Sequence, residues 1–174
     1  MTTSNAPEST DAQLRAFEAH YDYDAGYLRR LLELAPNAYG RFAAAQGMSQ
    51  HRDALSQDAH AIACISVMLT DDCGACAQLN LRMAAEVGVP RDLLQTLLDE
   101  PAELPKPLDD VYHHARAVTA GDPLDAERVT RLRDAIGDQA FGELAVVITG
   151  ARIYPSLKRA MGTTTHCRKP SLDF

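Results

Sequence analysis

The 174-residue chain has no tryptophan, and aromatic residues make up only 6% of it. It has no surplus of positive charge: 17 Lys and Arg stand against 24 Asp and Glu, for a formal net charge of −7. No basic cluster breaks that balance, so a nucleic-acid partner is not expected, because a phosphate backbone is bound by a concentrated positive face. No apolar run approaches the roughly 20 residues needed to span a bilayer. The longest, Ala61 to Leu69, is already broken by Ser66, so no membrane partner is expected. The opening Met-Thr-Thr-Ser-Asn-Ala-Pro-Glu-Ser-Thr lacks the basic and apolar regions of a secretory signal. Four cysteines in a chain of this size do not form a secreted disulfide scaffold. A soluble, cytoplasmic protein is the expectation. No window alternates apolar and polar residues with period two, which argues against a sheet.

Hydrophobic residues form 46% of the chain, with Ala and Leu dominant, a composition that favours helices because these residues lose little freedom there. The length suits one domain with a real core. We expect an all-α fold of about eight or nine helices around a buried central pair. A flexible N-terminus is expected over 1–9, a single helical domain over 10–162, and a polar tail, loose or packed on a partner, over 163–174. Leu28, Leu31, Leu32 and Ala35 follow amphipathic helical spacing, and Pro36 can open the next helix. Asp53 or Ser56 can cap a helix reaching about Thr70, apolar on nearly every side and therefore buried. After Asp71-Asp72 a new helix starts near Cys73 and stops at Gly88, with Pro90 beyond. Further helices are expected over 92–98, 108–119, 125–136 and 141–153, with a last short one opened by Pro155. The apolar segments 61–69 and 144–153 form the expected centre.

The chemistry concentrates in Thr-Asp-Asp-Cys73-Gly-Ala-Cys76-Ala-Gln-Leu-Asn80. Two intervening residues place the thiols one helical turn apart, within reach of a disulfide. A helix start supplies unpaired N–H groups and a positive dipole end, both of which stabilise a thiolate. Asp71 and Asp72 oppose that ionisation unless they are turned away. Two other readings stand beside the redox pair. The cysteines can be simple packing residues, or part of a zinc site, although a structural zinc wants four ligands and no second Cys-x-x-Cys exists. Cys64 reads as an inert core residue and Cys167 as incidental to the tail. His60, one turn before Cys64, is a possible supporting group. His113 and His114 are adjacent and diverge on a helix, and nothing singles out His20, His51 or His166.

The core of the chain, about Leu55 to Leu98, resembles the alkylhydroperoxidase D-like branch of the carboxymuconolactone decarboxylase family. The resemblance rests on Ala-Ile-Ala-Cys-Ile-Ser-Val-Met-Leu-Thr-Asp-Asp-Cys-Gly-Ala-Cys followed by Ala-Ala-Glu-Val-Gly-Val-Pro, and more weakly on Val111 through Leu157. It implies an all-α fold, a homo-oligomer (trimer or hexamer), and reduction of hydroperoxides by Cys73 and Cys76, which a dithiol carrier then returns from disulfide to dithiol. The family's fuller pattern adds a Glu ahead of the cysteines and a His after them, which move protons. Those positions here are Ala61 and Asn80. Asn can hydrogen-bond but cannot carry a proton near neutral pH, and Ala can do neither. The expected function is therefore a cofactor-free, metal-free thiol oxidoreductase acting on a small hydroperoxide. The alternatives are a catalytically diminished binding or assembly module, or a decarboxylase-type enzyme whose pocket would draw on His60, His113 or His114.

Overall fold

A computed structural model describes residues 5–163 and 169–174. Among these the chain is all-helical, with no strand. In chain order the helices are α1 (Asn5–Tyr21), α2 (Gly26–Leu34), α3 (Pro36–Ala45), α4 (Gly47–Gln50), α5 (Gln57–Thr70) and α6 (Gly74–Glu86). After these come α7 (Arg91–Asp99), a 3-10 turn (Pro101–Glu103), α8 (Leu108–Ala120), α9 (Ala126–Ile136) and α10 (Asp138–Ala160). Helix α1 begins at Asn5, inside the stretch whose polar composition suggested a flexible end. None of the helices is long and apolar enough to cross a membrane.

Helix α5 is the centre. Ser56, not Asp53, caps it: the Ser56 hydroxyl accepts from the Ala59 N–H at 3.2 Å. From Ala61 to Met68 every residue is buried, and Ile62, Ile65 and Val67 have no exposure. Burying each such side chain contributes about 1.5–3 kcal/mol. Ser66, the polar residue in this run, donates its hydroxyl proton to the Ile62 carbonyl at 2.6 Å, so nothing polar is stranded. Helices α6, α8 and α10 pack around α5.

One of these neighbours differs from the sequence reading. Helix α10 runs unbroken through Pro155, where the periodicity suggested an end at Ile153 and a new start. Proline removes one helical hydrogen bond, but Ala151 and Pro155 are both buried, and packing carries the helix across the gap. Helix α8 makes the most extensive interface with α5, yet buries two carboxylates. Asp110, 1% exposed, accepts from Arg131 at 2.9 Å, Arg128 at 2.8 Å and Lys106 at 3.2 Å, and Arg128 also reaches Asp109 at 3.1 Å. The Arg131 contact is the chief reason the Asp110 carboxyl is pulled down to about 2. This network ties α9 to α8.

A second apolar cluster lies at the N-terminal side. Tyr23, Ala25, Tyr27 and Leu28 are buried there against Leu14, Phe17, Tyr39, Phe42 and Leu79. Residues 169–174 lie back on the same chain. Gln78 of α6 exchanges two hydrogen bonds with the Ser171 backbone, at 2.9 and 2.8 Å, and Arg91 reaches the Leu172 carbonyl.

Candidate active site

The thiol pair sits where α5 hands over to α6. Helix α5 ends with Asp72 in the left-handed conformation (φ 51°), and the Cys73 N–H folds back to the Met68 carbonyl at 2.9 Å. This reversal is a helix C-terminal motif with Asp in the place usually held by Gly. It leaves Cys73 as the N-cap of α6, with Cys76 in its first turn. The two are disulfide-bonded with Cα atoms 5.2 Å apart. Cys73 is fully buried and Cys76 is 2% exposed.

Asp71 does not load negative charge onto the sulfurs unopposed. Arg159 of α10 donates to its carbonyl at 2.9 Å and to its carboxylate at 3.3 Å, and Arg152 lies 3.9 Å from the other carboxylate oxygen. The charge that the sequence set against thiolate formation is thus paired from α10.

Cys76, but not Cys73, lines a cavity of about 340 Å³ between the α5 core and the N-terminal cluster. Its apolar wall includes Leu14, Phe17, Leu28, Met68, Leu79 and Met83, and its polar groups include Tyr23, His60, Asn80 and Tyr154. Among the described residues that line it, none is Asp, Glu, Lys or Arg. The chamber suits an uncharged or weakly polar molecule of modest size.

His60 and Asn80 reach this cavity, each with its polar group already engaged. The His60 Nε2 is 2.7 Å from the Ser49 carbonyl, which can only accept, so Nε2 carries the proton and Nδ1 is the acceptor nitrogen. Burial lowers the His60 pKa and keeps the ring neutral. The Asn80 amide donates to the Cys76 carbonyl at 2.9 Å rather than to sulfur. Ala61 is buried in α5 and does not line the cavity. Cys64 is buried as expected, but also lines the cavity, with Sγ 3.9 Å from both His60 and the Ser49 carbonyl. Burial pushes its thiol up to about 12, so it stays protonated.

The residue nearest the Cys76 sulfur in hydrogen-bonding terms is one that motif reasoning missed. The Tyr23 hydroxyl is 3.9 Å from Sγ. Burial, foremost, pushes that phenol up to about 12, so near neutral pH it keeps its proton and can donate it in a hydrogen bond to sulfur. Tyr23 is held there by the α1–α2 turn. Glu18 accepts from the Ala25 N–H at 2.8 Å, and its own carbonyl takes the Tyr23 N–H at 3.1 Å. Arg82 of α6 donates to the carbonyls of Tyr21 and Asp22, and Glu86 of α6 takes both Tyr21 and His20. The thiol helix itself thereby grips the turn that presents the tyrosine. The only sequence trace of this is the unusual Tyr21-x-Tyr23-x-x-x-Tyr27 grouping, whose destination depends on tertiary packing.

Neither of the paired histidines joins the site. His113 is 3.2 Å from Asp109, and His114 is buried against Phe141. The cluster of metal-ligating side chains found among the described residues, His51, Asp53 and Glu143, includes no cysteine. There the Glu143 carboxylate already takes the N–H groups of Asp53, Ala54 and Leu55 at 2.8–3.0 Å. Cys167 and His166 fall outside the described residues. No known protein family, curated protein or solved structure matches the chain.

Proposed function

We propose that the protein is a thiol oxidoreductase of the alkylhydroperoxidase-like kind, cycling Cys73 and Cys76 between dithiol and disulfide. The observation that carries this reading is the placement of the pair: a disulfide at a helix start with one sulfur, Cys76, on the wall of an uncharged cavity and the other behind it. In the reduced protein the Cys76 thiolate attacks one oxygen of a bound hydroperoxide. The O–O bond breaks, an alcohol leaves after taking up a proton, and Cys76 becomes a sulfenic acid. The Cys73 thiol then attacks that sulfur, water leaves, and the disulfide forms. A dithiol reductant returns two electrons and two protons. Ala61 and Asn80 supply no proton carrier, so neutral His60, with its acceptor Nδ1, and the Tyr23 hydroxyl are the groups of the cavity available to handle the proton. The family resemblance adds a homo-oligomer, trimer or hexamer, and a cytoplasmic location belongs to the same proposal.

The test is a free-thiol count on reduced protein before and after one equivalent of cumene hydroperoxide. The parent should lose two thiols and regain them with a dithiol. The Cys73→Ser variant should stop at a sulfenic acid on Cys76, which dimedone labels. No thiol loss over hours would sink the redox reading and leave the cavity as the binding site of a catalytically silent module, with the disulfide as a staple.

A further inference from the structure

One buried lysine does not line the cavity. Lys158, in the last turns of α10, is 5% exposed. A lysine that far from water costs stability unless something receives its charge. Its Nζ lies 4.4 Å from the centre of the Tyr23 ring and 5.1 Å from that of Tyr27, both within cation–π range. The Tyr23 ring so held carries the hydroxyl that sits 3.9 Å from Cys76 Sγ.

We propose that Lys158 is the positioning residue of the thiol site: its ammonium group clamps the Tyr23 ring so that the hydroxyl meets Cys76, and its charge favours the thiolate of that cysteine once the disulfide opens. A lysine–tyrosine pair then stands in for the ionisable residues that the chain lacks at Ala61 and Asn80. The inference rests on Cys76 being the reactive thiol, but not on hydroperoxide being its oxidant.

The groups around Cys76 leave this role to Lys158. The reduced Cys73 thiol adjoins Cys76 directly, and on the wall of the shared cavity stand neutral His60 and the protonated Cys64 thiol from α5, Tyr154 from α10, Tyr27 from α2 and Tyr39 from α3. Helix α6 has no acidic residue in its first turn. At the helix junction stand Asp72 and Asp71, the latter paired with Arg152 and Arg159. Glu18, on α1, is engaged by Arg29 and the Ala25 N–H. Burial lowers the Lys158 pKa, and the attraction of Asp24 for its charge partly offsets that. Lys158 and the sulfur are bridged by one phenol ring, and at a distance on the order of 10 Å a unit charge at an effective dielectric of about 20 changes thiol acidity about tenfold.

The experiment reads the acidity of Cys76 itself. Full-length protein is reduced with a dithiol, and the rate of Cys76 alkylation by iodoacetamide is followed by peptide mass spectrometry from about pH 5 to about pH 10, a range that spans an ordinary thiol. Lys158→Met should move the Cys76 profile about one unit upward, so that alkylation well below the midpoint slows about tenfold. Lys158→Arg, which keeps the charge over the rings, should retain the parent profile. Tyr23→Phe, which keeps the ring but removes the hydroxyl, should also move the profile upward. If folded Lys158→Met alkylates with the parent's profile, the proposal is overturned. If Lys158→Met does not fold, Tyr23→Phe and Lys158→Arg decide it: a parent profile for the first, or an upward-shifted one for the second, overturns it. Alkylation needs no peroxide, so a silent hydroperoxide assay and a failed clamp are separable results.

Discussion

Two glycines on one helix should respond to the same substitution with opposite signs. Gly150 of α10 lies against α4, and a Cβ built on it would meet the Ser49 nitrogen at 2.5 Å, the Met48 Cβ at 2.6 Å and the Met48 carbonyl carbon at 2.7 Å. Ordinary contact needs about 3.5–4.0 Å, so α4 would have to move away by about 1 Å. Backbone atoms are among those struck, and no rotamer change absorbs the clash. Gly142, two turns earlier on α10, has nothing within 4 Å of the same added atom. Replacing glycine by alanine in a helix interior stabilises by about 1 kcal/mol, whereas overpacking costs about 1–3 kcal/mol. The helix preference is common to both sites and cancels in the comparison. Gly142→Ala should therefore be more stable than the parent, and Gly150→Ala less stable than Gly142→Ala by about 2 kcal/mol. For a chain of this length that difference is roughly 4–8 °C in Tm, read by circular dichroism at 222 nm. Transitions coinciding within about 1 °C would refute the argument and mean that α4 is not clamped on α10. The clamp bears on the site, since the displaced Ser49 carbonyl is the group that fixes the His60 tautomer.

Two further outcomes test the packing around that site. The Glu143 carboxylate, held by the N–H groups of residues 53–55, is drawn from 4.5 to about 2, and Asp110, held chiefly by Arg131, from 3.8 to about 2. Both values are depressed on folding, so their stabilisation is complete above the unfolded values and is lost as pH falls through about 4 toward about 2. Tm measured against pH should drop across that window, and Glu143→Gln or Asp110→Asn should flatten the drop while lowering Tm at neutral pH. Asp125 caps α9 by accepting from the Glu127 and Arg128 N–H groups at 3.0 and 3.1 Å. Asp125→Ala should cost about 1 kcal/mol in urea unfolding, and an unchanged midpoint would count against that cap.

Much of the architecture was legible in the chain because helices are written locally. The run from Ile62 to Leu69, apolar apart from Ser66, announced a buried helix, Ser56 and Asp125 sit where caps belong, and the Gly88–Pro90 punctuation closes α6, each readable within a few residues. The Cys73–Cys76 spacing likewise declared a possible disulfide, since one helical turn sets the distance between the sulfurs. Pro155 misled for the opposite reason: its local penalty is real, but burial of Ala151 and Pro155 outweighs it, and burial is not a local quantity. Only the tertiary structure decided which sulfur faces the cavity, that Arg152 and Arg159 meet Asp71, that Glu143 gathers the turn before α5, and that Tyr23, with Lys158 over its ring, meets Cys76 from far away in the chain. Those partners are brought together by how α1, α2 and α10 pack around α5 and α6, and a pattern along one helix carries no record of the side chains that another helix will place beside it.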